Sequence, residues 1–162
     1  TMDRQTRDEL LRDVIEQSMW LMKMMENVLS MTRIESGQQF IEKHQEVIDD
    51  IVYEVQKHVI GLKSRRDFRV SLPDRVVVAD MDGKMIMQVL VNLLDNAVKH
   101  TQDGGSISLD VSYRKNRVYF VVKDDGDGIA EEVEAHGGRI WAENRREGGA
   151  RFTFWLEARI AE

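Results

Sequence analysis

The 162-residue sequence contains no cysteine and a single proline, Pro73. Disulfides and thiolate metal sites are therefore excluded, and the chain suits a reducing compartment. Aromatic residues make up 7% of the chain. Apolar runs last only a few residues, far short of the roughly 20 that a membrane-spanning helix needs. Positive charge is outweighed: 23 Lys and Arg against 29 Asp and Glu leave a net charge of −6. No basic footprint for nucleic acid remains. Nothing at the N-terminus has the charged-then-apolar order of a signal peptide. What is present, 42% hydrophobic and 32% charged residues, is the composition of a folded globular domain. The length suits one core, or one core with a helical arm.

The pattern divides the chain in two. From about residue 7 to 35, Leu11, Val14, Leu21, Met25 and Val28 recur at heptad spacing. Ser18 and Thr32 fill the two remaining heptad positions, and Ile15, Met22 and Leu29 widen the stripe. A lone helix of this kind would leave its face in water, so the spacing predicts pairing with another helix, in a symmetric homodimer through residues 7–35. Ser36-Gly37 stops the arm. A second amphipathic helix is predicted over about 45–63, then strands over 68–72 and 76–79 on either side of Pro73. Asp80 and Asp82 read as helix caps ahead of a helix from Gly83, whose apolar face is Met85, Ile86, Val89, Leu90, Leu93, Leu94 and Ala97. Strands over 106–114 and 117–123 form a hairpin at Lys115-Asn116, and strands over 139–144 and 150–157 form another at Gly148-Gly149. The predicted class is α+β, with helices covering one face of a mixed, mostly antiparallel sheet.

Residues 130–136 resemble the end of a helix under two turns long, where a crossover normally takes a dozen residues or more. The spacing predicts that two pieces of a longer sequence meet at about Glu132-Val133.

Two segments carry chemistry. On the Gly83 helix, Gln88, Asn92 and Asn96 fall at four-residue steps, followed by Lys99 and His100. Carboxamide oxygens are neutral hard ligands for a magnesium ion that keeps waters and bridges phosphates. Lys99 can meet phosphate charge and His100 can lie beside a base or ribose. An isolated pair of asparagines at this spacing is more often a solvated helix face. The second segment, Asp124-Asp125-Gly126-Asp127-Gly128-Ile129, ends a strand in a carboxylate that can accept from the exocyclic amine of adenine, while Gly126 and Gly128 admit close backbone approach. Alone it is more often a plain turn, and Ile129 stands where a calcium loop needs an oxygen ligand.

Together, NLLDNAVKHT resembles the N box of sensor histidine kinases and DDGDGI their first glycine box. The tail VEAHGGRIWAENRREGGARFTFWL resembles the closing strands of Kdp-type potassium and turgor sensors, and residues 9–37, ending LSMTRIESG, resemble the second dimerisation helix. The resemblance implies a Bergerat-type α/β sandwich binding ATP and Mg2+ over residues 38–162, after a partial dimerisation and phosphotransfer domain over 1–37. It assigns magnesium to Asn96, phosphate assistance to Asn92, a phosphate contact to Lys99 and a ring against the nucleotide to His100. Asp124 would read the adenine amine, and Gly126 and Gly128 would line the base. It further implies phosphorylation of a histidine and transfer to a response regulator receiver domain, within the cytoplasmic portion of a membrane-anchored sensor whose membrane this stretch does not touch.

Departures from the family are as informative. His44, His58, His100 and His136 precede Gln45, Val59, Thr101 and Gly137, so none has the acidic successor of an acceptor histidine. The F box and second glycine box, which form the ATP lid, are missing at the inferred join, and their loss removes amides that would cradle the triphosphate. The related gyrase-like ATPases carry a glutamate base where Asn92 stands, so the pocket suits phosphoryl transfer better than hydrolysis. These features predict a stretch that does not phosphorylate itself. The alternative is a non-catalytic dimerisation scaffold with a degenerate pocket.

Overall fold

The computed structural model describes residues 3–36, 42–59, 66–127 and 140–162. The chain divides into two units, Thr1–Ile41 and Glu42–Glu162. Among the described residues of the first lies the helix α1 (Arg4–Glu35). Asp3 caps it, its Oδ1 accepting the Thr6 N–H at 2.7 Å. Leu11, Val14, Leu21, Met25 and Val28 are each more than half exposed, so the heptad stripe is an open apolar face.

The second unit runs β1 (His44–Val47), α2 (Ile48–Val59), β2 (Asp67–Ser71), β3 (Val77–Met81), α3 (Gly83–His100), β4 (Ser106–Arg114), β5 (Arg117–Asp124), β6 (Ile140–Asn144), β7 (Ala150–Glu157) and β8 (Arg159–Ile160). Five strands form a sheet in the order β2-β4-β5-β7-β6, and three form a smaller one, β1-β3-β8. Among the described residues only β2 and β4 pair in parallel. Helices α2 and α3 lie together over the inward faces of the strands. Ile51, Val55, Leu90 and Leu94 meet Leu109, Phe120 and Phe154 in one core. Alternation puts Phe120 and Phe154 on the same face, their rings stacked at 4.7 Å between centroids.

Three sequence expectations need correction. The helix predicted over 45–63 is shorter at its start, because His44–Val47 pairs antiparallel with β3 instead, Val47 facing Val78. An edge strand of four residues has too little period to compete with the helical pattern beside it. Residues 60–65 lie outside the described residues. Asp80 does not cap α3: it sits within β3 opposite Gln45. Asp82 does cap α3, its Oδ1 accepting the Met85 N–H at 3.2 Å. Lastly, the strands form two sheets rather than one, since β1 and β8 flank β3 and not the larger sheet.

Candidate functional site

The end of α3 and the end of β5 are stitched together. Asp127 donates its backbone N–H to the His100 carbonyl at 3.3 Å. Gly126 lies so close to that carbonyl that a Cβ there would overlap it. The C-terminal turn of α3 is fixed from the other side by Arg66, whose Nε and Nη2 donate to the Thr101 carbonyl at 3.0 and 2.9 Å. A guanidinium is well suited to the negative end of a helix.

The three aspartates of the loop are used differently. Asp124 is buried, 2% exposed, opposite the inward-facing Ile107. Its Oδ1 accepts the Gly126 N–H at 3.0 Å and the Ala150 N–H at 3.2 Å, while its Oδ2 takes no bond from the described residues. Asp125 is structural: its Oδ1 accepts the Ser106 N–H at 3.0 Å, and its own N–H donates to the Ser106 carbonyl at 3.2 Å. Asp127 contributes the backbone bond to His100.

On α3, Asn92 is half-buried and Asn96, Lys99 and His100 are exposed. Gln88, Asn92 and Lys99 each already engage a partner within the chain. Asn96 stands one turn before His100, hence about 6 Å along the axis from the junction with β5. Gly128 lies outside the described residues, as does the inferred join at Glu132-Val133. Among the described residues no group of three His, Asp or Glu could hold a metal. A cation here would therefore depend on a carboxamide plus oxygens that a ligand and water bring.

Sequence reasoning placed the hairpin turn between β6 and β7 but missed its contact with the end of β5. Arg145 donates from Nη1 to the Asp124 carbonyl at 2.7 Å, and Gly149, at φ +86°, has no room for a Cβ beside that carbonyl. The signal available was Gly148-Gly149, which marks a turn but not what the turn touches.

Known proteins were compared with this arrangement. Residues 81–135 match the family described as histidine kinase-, DNA gyrase B-, and HSP90-like ATPase. The sensor protein KdpD of Clostridium acetobutylicum is 32% identical over 94% of this chain and 21% of its own length. This chain belongs to the sensor histidine kinases. It carries their ATPase catalytic domain in the α+β fold of that family. The histidine kinase ThkA, solved in complex with the response regulator protein TrrA, superposes with a TM-score of 0.75 at 21% identity, over 97% of this chain and 53% of that one. Full-length ShkA, solved in complex with AMPPNP, superposes with a TM-score of 0.70 at 20% identity, over 99% and 40%.

The chain thus spans 21% and 30% of the first two curated relatives. The KdpD alignment also runs over 185 residues while taking 94% of this chain, about 152 residues, so about 33 residues of the relative have no counterpart here. The same comparison gives about 32 to 35 residues in seven further relatives.

Proposed function

We propose that residues 38–162 hold ATP with Mg2+ between α3 and the end of β5. Within a longer sensor kinase, they would present its γ-phosphate to a histidine on a dimerisation helix, for transfer to the receiver domain of a response regulator. The observation that supports this reading is the junction of Asp127 with His100, which ties the C-terminal end of α3, the helix that carries the asparagines, to the end of β5. Asp124 has one oxygen saturated by two main-chain amides. The other is left to accept a single N–H, which is what the exocyclic amine of adenine offers.

Asn96 would supply one hard ligand to magnesium, the phosphates and waters the rest. Asn92 would assist at the phosphates, Lys99 would meet their charge, and His100 would flank the nucleoside. Bound magnesium would neutralise phosphate charge. The residues of the chain orient the nucleotide and do not themselves attack. With Asn92 where a hydrolase places glutamate, no side chain at that position can take a proton from water. Residues 1–37 are the second helix of the dimerisation domain, and the open stripe of α1 pairs with a second copy. The shortfall of about 32 to 35 residues against eight relatives supports a lid segment missing near Glu132-Val133. This stretch alone should not label any of its histidines from ATP.

Calorimetry with ATP and magnesium tests the reading in the chain with its lid restored. Asn96→Ala and Asp124→Ala should each weaken binding by about tenfold or more, the equivalent of one strong polar contact. Unchanged affinity in both removes the site. No heat of binding at all leaves the scaffold reading.

A further inference from the structure

We infer that Arg145 is a positioning residue for purine recognition, its guanidinium fixing the end of β5 so that one oxygen of Asp124 faces the base. The inference rests on the reading of Asp124 as the acid that meets the adenine amine. It concerns what holds that acid still.

The need arises from where the strand ladder stops. The last register pair of β5 with β7 is Lys123 with Arg151. On the β4 side, Asp125 and Ser106 exchange the next bonds, so the carbonyl of Asp124 turns towards β7. There the regular partner would be the N–H of Ala150, but that group donates to the Asp124 side chain instead. The Arg145 guanidinium takes its place at 2.7 Å. Its bond to a carbonyl inside a packed hairpin is charge-assisted, hence stronger and more directional than a neutral one.

The guanidinium is itself braced. The backbone N–H of Arg145 donates to the Gly149 carbonyl at 2.9 Å, and its carbonyl accepts the Gly148 N–H at 3.1 Å. Nη2 lies 3.6 Å from Glu147, and the Arg145 side chain is 22% exposed. Gly149 presses on the same Asp124 carbonyl with no Cβ between them. The turn therefore grips Asp124 at the side-chain oxygen through Ala150, and at the main chain through Arg145. Hydrogen bonds weaken steeply as they leave alignment, so a peptide free to rotate would misdirect the remaining carboxylate oxygen.

The test uses the full 162-residue chain, ADP, and inosine diphosphate, which carries a carbonyl where adenine carries its amine. In calorimetry, Arg145→Met should weaken ADP binding about tenfold while leaving inosine diphosphate within about twofold. Arg145→Lys, which keeps a donor but not the planar fork, should recover part of the loss. In the ligand-free chain, the Gly126 and Ala150 amides should exchange faster in Arg145→Met than in the unsubstituted chain.

If Asp124→Ala removes the preference for ADP and Arg145→Met keeps it, the assignment to Arg145 is overturned. An equal fall for both nucleotides makes Arg145 a fold-holding residue and overturns it too. A chain with no preference for ADP loses the purine reading of Asp124, and this inference with it. Should Arg145→Met not fold, Arg145→Gln carries the same measurements, and failure of both to fold also overturns the assignment.

Discussion

Three aspartates within four positions, Asp124, Asp125 and Asp127, are nearly equivalent on paper and have separate tasks in the folded chain. Strand alternation explains the first division: Asp124 follows the inward set of Val118, Phe120 and Val122, so its carboxylate enters the core, while Asp125 turns to Ser106. That much of the site was legible, because the period of β5 fixes its faces. Arg145 was not, since its role depends on a hairpin returning to a strand end 21 residues away. Gly126 shows how tight the junction is. In Gly126→Ala the added methyl must displace the His100 carbonyl, and overpacking of this kind costs about 1–3 kcal/mol. We expect thermal unfolding to report that loss and ADP binding to fall with it. An unshifted melting temperature would mean that the two element ends are not held in register.

At the level of elements, the long periodic segments were readable and the short ones were not. The arm, the Gly83 helix and the four strands of the two hairpins stand where the spacing put them, within three residues, because each repeats its period at least twice. The strands β1 and β8, four and two residues long, owe their state to β3 lying between them. No local pattern encodes that. The hairpin at Lys115-Asn116 is a case where the residues fit the turn imperfectly. Both have positive φ, 48° and 59°, as a tight two-residue connection between twisted strands demands, yet a lysine pays a steric cost there that asparagine largely escapes. Lys115→Asn should stabilise the domain by about 0.5–1 kcal/mol, read as a higher denaturant midpoint with an unchanged slope. A lower midpoint would mean that the lysine makes a contact worth more than the strain.

For the whole molecule, the decisive quantity is the length of chain between two fixed points. Asp127 is pinned to His100 where α3 meets β5, and Ile140 opens β6 on the far side of β7, opposite Phe154. Relatives have about 33 more residues somewhere in the aligned stretch than this chain does. Inserting such a segment between Glu132 and Val133 should raise ATP affinity on the order of tenfold or more, by supplying backbone amides to the triphosphate, and calorimetry with ATP against adenosine separates that gain from contacts to the base. Equal gains for both ligands would count against a lid. Thermodynamics places little in the way of such a graft. With both anchors already built by α3, β5 and β7, closure entropy grows only with the logarithm of the tether, and lengthening it to about 45 residues costs on the order of 1 kcal/mol. On the function proposed above, the cover over the nucleotide is then an exchangeable cassette, because the logarithm of its length is nearly all that the floor beneath it feels.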